Sequence, residues 1–418
     1  MEKNHVYSNC EIMTNNLEQV AYIKRIGYLE KITPFIDKNL IKVLVGQRRV
    51  GKSYLLMQIK DVILAKRPNA NFIYINKEQY EFDDIRSYKE LIKFVESKKK
   101  KNKYNYLFID EIQDIDEFER ALRHFALDNK MDIYCTGSNA NLLSGELATF
   151  LSGRYVEFKV FGLAYLEFLN FHELKNNSES LKKYILWGGL PFIKNLQKRD
   201  EVIAEYLKNI YSTIIYKDII SRFQIRNTNF LENLVRFLAN NVGSIISAKK
   251  ISDYLKSQKI NMSPQIVLNY LDHLMQAFLI FNVKRMDVGG KKIFEINEKF
   301  YFEDWGIMNS IIGFANIDIG KIIENIVFIH LKINGFEVTV GKSGEKEIDF
   351  VCIKNGKKIY IQACYLISDE KVKKREFGNL LEIKDNYTKM VVSMDEYAPT
   401  NVKGILHIPL REFLSNPI

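Results

Sequence analysis

The sequence predicts an α/β fold built on a parallel sheet, and three observations predict it. The apolar run Ile41-Lys42-Val43-Leu44-Val45 leads directly into the octet GQRRVGKS, Gly46 to Ser53, and then into Tyr54-Leu55-Leu56-Met57-Gln58-Ile59, which reads as the start of a helix. A second apolar run, Tyr106-Leu107-Phe108-Ile109, ends in the adjacent carboxylates Asp110 and Glu111. A third, Met131-Asp132-Ile133-Tyr134-Cys135, ends in the polar residues Thr136-Gly137-Ser138-Asn139. Short apolar runs separated by helical stretches are the pattern of strand-helix-strand units, which place their chemistry at the C-terminal ends of the strands.

The octet follows the spacing GxxxxGK[ST], a P-loop. Gly46 and Gly51 let the backbone wrap closely around a polyphosphate. The N–H groups from Gly46 through Gln47, Arg48, Arg49 and Val50 to Gly51, with the helix start at Lys52, Ser53 and Tyr54, then point at the anion. Lys52 reaches the β- and γ-phosphates of ATP, and the Ser53 hydroxyl ligates Mg²⁺. Asn71-Phe72-Ile73-Tyr74-Ile75-Asn76 reads as the next strand and residues 87 to 97 as an amphipathic helix. Asp110 would orient the Mg²⁺ and Glu111 would polarise the attacking water, an arrangement of Walker B type. Ser138 and Asn139 are either sensors of the γ-phosphate or a plain turn after a buried strand. In Leu151-Ser152-Gly153-Arg154-Tyr155, Arg154 either approaches the phosphates, in cis or from a neighbouring subunit, or forms a surface salt bridge.

GQRRVGKS, YLFIDEIQ, TGSNANLLSG and GRYVEFKVFGLAYLEFL, in this order, resemble the AAA-type ATPases of bacteria and archaea in which a compact P-loop domain precedes a C-terminal domain of unknown function. YIKRIGYLEKITPFIDKNLIKVLVG and WGGLP resemble the same family. The resemblance implies ATP and Mg²⁺ handling by Lys52, Ser53, Asp110 and Glu111, and leaves the substrate open. Relatives of this type often work as rings, so a homo-oligomer is open as well.

In the second half, residues 162 to 222 read as helical, broken at Trp187-Gly188-Gly189-Leu190-Pro191, with a length that suits a lid over the nucleotide. Gly188 and Gly189 are either a hinge or a turn between helices. Residues 245 to 255 and Ser263 to Leu271 read as two short helices, the second capped by Ser263 with Pro264 in its first turn. Phe278 to Val283 and Lys291 to Ile296 pair as a wing across Gly289-Gly290. The pattern is a winged helix, which binds either DNA or protein. Further on come a helix carrying Glu324, a strand carrying Asp349 and the triplet Gln362-Ala363-Cys364. This segment resembles the restriction-endonuclease-like fold in a degenerate form. An amide stands where a cleaving enzyme has a carboxylate, and a thiol where it has an ammonium. Whether Glu324 and Asp349 still hold a metal is open. The expected divisions are a P-loop AAA-type core at 1–165, a helical lid at 166–225, a winged helix at 226–298 and a degenerate nuclease-like α/β domain at 299–418.

The bulk numbers fit this reading. The chain has 418 residues, 47% hydrophobic and 27% charged, enough for two or three domains. No apolar run is long enough to span a membrane and no signal-peptide core opens the chain, so the expected location is cytoplasmic. Cys10, Cys135, Cys352 and Cys364 form no CxxC pair and read as free thiols. The net charge of +10 is spread over both halves. Lys98 to Lys101 with Lys103 form the one basic run, a solvated loop or a phosphate contact. The leading expectation is an ATP-binding and ATP-hydrolysing switch that couples Mg·ATP turnover to C-terminal binding modules. The alternatives are an ATP-controlled nucleic-acid-binding or nuclease protein, and an adaptor that grips a protein partner in signalling or defence.

Overall fold

The computed structural model describes residues 22–143, 153–288, 293–314, 318–367, 370–397 and 400–416. Cys10, Leu151, Ser152, the Gly289-Gly290 turn and Lys291-Lys292 lie outside these residues. Helix α1 (Ile26–Ile32) precedes β1 (Ile41–Val45), α2 (Lys52–Lys66), β2 (Asn71–Asn76), α3 (Tyr88–Lys98), β3 (Asn105–Asp110), α4 (Phe118–Phe125), β4 (Met131–Gly137) and β5 (Tyr155–Lys159). The five strands form a wholly parallel sheet in the order β2-β3-β4-β1-β5. Both faces are covered: Ile41, Val43 and Val45 pack into one core, while Leu44 packs into the other with Leu55 and Ile59 of α2. Double burial explains why these strands read as continuous apolar runs. Helix α3 begins where its capping box does, at Ser87 and Glu90.

The helical segment follows as α5 (Tyr165–His172), α6 (Ser178–Trp187), a 3₁₀ turn at Pro191–Asn195 and α7 (Asp200–Thr213), which runs into a π-helical stretch, Ile214–Ser221. Gly188 and Gly189 serve close packing. A Cβ on Gly188, at φ +80°, would sit 2.5 Å from Asp304 Oδ1, and the Gly189 N–H donates to Asp304 Oδ2 at 2.7 Å. Next come α8 (Thr228–Asn240), α9 (Ala248–Ser257) and α10 (Pro264–Gln276), the last capped by Ser263 as its sequence predicts.

Strands β6 (Ile280–Asp287) and β7 (Ile293–Phe302) pair antiparallel, but they do not stand apart as a wing. After α11 (Trp305–Ile312) and α12 (Ile319–Ile333) come β8 (Glu337–Ser343), β9 (Lys346–Lys354), β10 (Lys357–Ala363), α13 (Glu370–Leu381), β11 (Thr388–Ser393), β12 (Asn401–Val402), β13 (Ile405–Pro409) and α14 (Leu410–Ser415). Strand β6 pairs with β8 in parallel, Arg285 opposite Val340, so the hairpin is the end of an eight-stranded sheet in the order β12-β13-β11-β10-β9-β8-β6-β7. The expected boundary between 298 and 299 falls inside β7. Among the described residues, no helix is long and apolar enough to cross a membrane, and Cys135, Cys352 and Cys364 are buried free thiols.

Candidate nucleotide site

The loop after β1 is shaped by how near it passes to β5. A Cβ on Gly46 would sit 2.1 Å from the Val160 carbonyl oxygen, so only glycine lets the loop pass there. Gly51 caps α2 in the left-handed region at φ +95°. Inside the loop Lys52 is 4% exposed, and its Nζ donates to the carbonyls of Gly46 (2.9 Å) and Gln47 (3.0 Å). The same ammonium lies 3.7 Å from Glu111 Oε1.

The two carboxylates after β3 have separate environments. Burial pushes Asp110 up, against hydrogen bonding from Ser53 and Thr136, so a serine hydroxyl and a buried acid converge. Such a hard-oxygen pair fits Mg²⁺. Glu111 sits in the left-handed region at φ 57°, held by its N–H donating to Thr136 Oγ1 at 2.9 Å. Burial alone would raise Glu111, but Lys52, Gln113, Arg48 and Ser138 outweigh it and hold the carboxyl below its usual range. The Gln113 amide donates to Glu111 Oε2 at 2.6 Å. The result is an ionised carboxylate beside an ammonium, with a second acid facing a hydroxyl.

A cavity of about 290 Å³ opens over these groups. Its lining combines polar groups, Arg25, Arg48, Arg49, Lys52, Ser53, Gln58, Glu78, Glu111, Lys194 and Asn195 with Gly51, and the rings and apolar side chains of Tyr22, Ile23, Tyr54, Phe171, Pro191 and Phe192. Of WGGLP, Pro191 reaches the cavity, beside the P-loop. Arg25 ties the back of the site together. Its guanidinium donates to the carbonyls of Val50, Phe161 and Gly162 and to both Glu167 oxygens, at 2.7 to 3.1 Å.

A family model described as an AAA domain matches residues 38–169, and another, described as a domain of unknown function, matches residues 178–318. An uncharacterized protein of Haemophilus influenzae is 36% identical over 392 residues, which cover 92% of this chain and 96% of that protein. An uncharacterized protein of Methanocaldococcus jannaschii is 34% identical over 382 residues, 86% of this chain and 82% of its own. The chain belongs to this family of P-loop AAA-type ATPases. The Walker-type ATPase of Pyrococcus abyssi has 16% identity and a TM-score of 0.48, covering 69% of this chain and 96% of that one.

Within the AAA domain some expected residues do not face the cavity. Gln47 turns away, its Nε2 donating to the Phe278 carbonyl at 3.1 Å, and the Val50 side chain is in the core. Both offer the site only backbone. Asp110 and Ser138 are buried beneath the cavity, 2% and 1% exposed, and Asn139 continues the turn after β4, its carbonyl accepting from the Leu142 N–H. Arg154 is a correction: it is exposed and precedes β5 at the end where Tyr155 pairs with Ile41, whereas the P-loop leaves β1 at Val45, the other end. Parallel register excludes it from its own nucleotide site. The sequence reading missed the bridging hydroxyl of Thr136, the ion pair of Arg48 with Asp218, and Arg25, whose one signal was its position in YIKRIG.

The AAA-domain chain has a second charged centre in the eight-stranded sheet. Glu324 and Asp349 do come together, but around Lys299, which was not anticipated. Its Nζ is 2.7 Å from Glu324, 2.7 Å from Glu347 and 3.2 Å from Asp349. Burial would lower this lysine, yet Tyr301 and the three acids hold its pKa well above the usual range. Gln362 Oε1 accepts from the Asp349 N–H at 3.2 Å, and the Ala363 N–H donates to Asp349 Oδ2 at 3.0 Å. Among the described residues, no group of acids, histidines and cysteines is arranged to hold a metal.

Proposed function

We propose that this protein is an ATP-driven molecular switch that binds Mg·ATP at Gly46 to Ser53, hydrolyses it, and passes the change through the lid to the C-terminal part. The observation that carries this reading is Lys52. A buried ammonium, held by the Gly46 and Gln47 carbonyls beside Glu111, is ready to exchange those contacts for phosphate oxygens.

Ser53 and Asp110 would hold the Mg²⁺, which when bound neutralises charge on the β- and γ-phosphate oxygens. The N–H groups of the loop and the first turn of α2 orient the phosphates. Glu111, ionised and anchored through Thr136 and Gln113, takes the proton of the attacking water. The rings and apolar side chains in the cavity lining, Tyr22, Ile23, Phe171 and Phe192, suit contact with a nucleotide base. The C-terminal part acts as a binding module for DNA or a protein. The Lys299 ammonium among its acids, together with Gln362-Ala363-Cys364, argues against nuclease chemistry there.

The test is nucleotide binding and turnover in two variants. Lys52→Ala loses ATP binding, whereas Glu111→Gln binds ATP and turns it over about 100-fold more slowly or worse. Hydrolysis at the unmodified rate in both variants would sink the proposal.

A further inference from the structure

Arg48 stands inside the phosphate loop with its guanidinium already engaged. Nε donates to Asp218 Oδ2 at 2.9 Å, Nη2 to Asp218 Oδ1 at 3.0 Å and Nη1 to Glu78 Oε1 at 2.8 Å. Asp218 is 1% exposed and belongs to the π-helical stretch Ile214–Ser221, in the region that matches the domain of unknown function. Such π-helical turns occur often at functional sites. Arg48 also lines the nucleotide cavity with Lys52, Ser53 and Glu111, and its charge acts on Glu111. It is therefore within reach of the place where phosphate charge would sit, while bound to an element remote in sequence.

Both of its acids have a second cation in attendance. Arg222 Nη2 lies 3.5 Å from Asp218 Oδ1, and Lys217 Nζ lies 4.0 Å from Glu78 Oε1. Departure of Arg48 would leave neither carboxylate without a positive neighbour. That makes it the exchangeable member of the network.

We propose that Arg48 is the triphosphate sensor of this site, leaving Asp218 and Glu78 for the terminal phosphate and so linking that phosphate to the π-helical stretch. This rests on the reading of Gly46 to Ser53 as an ATP site. In turnover the water oxygen bonds to Pγ, the bond from Pγ to the bridging oxygen breaks with its electron pair leaving on ADP, and the water proton goes to Glu111. Arg48 meets the negative charge of the transferring group, the role Arg154 cannot fill in cis. ADP carries no terminal phosphate at that point and leaves the Arg48–Asp218 pair in place. The phosphate and the two acids compete for one guanidinium, so weakening either acid favours ATP over ADP.

The experiment is calorimetric titration of the full chain with Mg·ATP and Mg·ADP, alongside ATP turnover. Glu78→Gln and Asp218→Asn are expected to tighten ATP binding about tenfold, the scale of one charge-assisted hydrogen bond, with ADP affinity held within about twofold. Arg48→Ala is expected to abolish the preference for ATP and to lower turnover by about 100-fold or more. Glu78 is exposed, so its variant keeps the fold even if Asp218→Asn does not. An unchanged ATP-to-ADP ratio in Glu78→Gln, or wild-type turnover in Arg48→Ala, overturns the proposal. Lys52→Ala separates the two readings: nucleotide binding that survives it sinks the ATP site itself. Loss of binding there, with an unchanged ratio in Glu78→Gln, sinks the role of Arg48 alone.

Discussion

Thr136 joins the two acids of the site through one hydroxyl, donating to Asp110 Oδ1 and accepting from the Glu111 N–H. It does not line the cavity, so its part is to position the two acids. Thr136→Val keeps the shape and removes the bridge, leaving a buried N–H and a carboxylate oxygen each short of a partner. The expected result is a loss of about 1 to 3 kcal/mol in denaturant unfolding and at least about a tenfold drop in turnover, with ATP affinity nearly unchanged. Thr136→Ser should restore turnover, which a purely packing role would not. The residue types of this site were legible in the sequence, because GxxxxGK[ST] and an apolar run ending in Asp-Glu need only local spacing. The bridge was not. It depends on the register between β3 and β4, Ile109 opposite Cys135, and spacing along one strand carries no information about its neighbour. The same blindness made Arg154 look well placed, until pairing of Tyr155 with Ile41 put it at the far end of the sheet.

At the scale of elements, α6 meets α11 both through side chains, Trp305 Nε1 and Asn309 Nδ2 donating to the carbonyls of Tyr184, Ile185 and Leu186, and through close backbone packing. Gly306 lies in the first turn of α11 against the end of α6, and a Cβ there would stand 2.2 Å from the Trp187 carbonyl oxygen and 2.6 Å from its carbon. Neither atom is the tip of a flexible side chain, so the helix ends themselves must separate. Gly306→Ala should therefore destabilise by about 3 kcal/mol or more, although alanine favours helix at that position. Because α6 leads into Pro191 and Phe192, the same variant should bind ATP more weakly; denaturant unfolding and nucleotide titration check both effects. Wild-type stability would mean that α6 and α11 can part freely. The sequence announced the break at Trp187-Gly188-Gly189, but not its partner 115 residues later, where the Gly189 N–H meets Asp304. The wing was legible as a hairpin for a similar reason. Its absorption into the eight-stranded sheet was not, since that rests on Arg285 meeting Val340.

For the whole molecule, the decisive question is what keeps the C-terminal sheet charged inside yet stable, and Lys299 answers it. One ammonium from β7 gathers Glu324 of α12 with Glu347 and Asp349 of β9, so it closes the hairpin end of the sheet onto a helix and the central strands. Burial pushes Glu324 up to about 7 even with Lys299 opposing it. Lys299→Met removes the opposing charge and leaves Glu324 and Asp349 without the ammonium between them, which should destabilise by about 3 to 5 kcal/mol. The sign of the pH dependence follows. Without Lys299 the folded chain must keep a proton on this cluster that the unfolded chain, with ordinary carboxyl values, has already released. Folded protein then binds more protons than unfolded, so stability falls as pH rises, by about 1.4 kcal/mol per pH unit for each such proton. In the intact chain Glu324 stops contributing this slope once pH passes about 7; in Lys299→Met, with Glu324 driven higher, it continues. Denaturant unfolding at pH 6, 7 and 8 should therefore show the variant losing ground to wild type most steeply between pH 7 and 8. An equal deficit at all three pH values would mean that Lys299 contributes packing alone and that the cluster never depended on its charge.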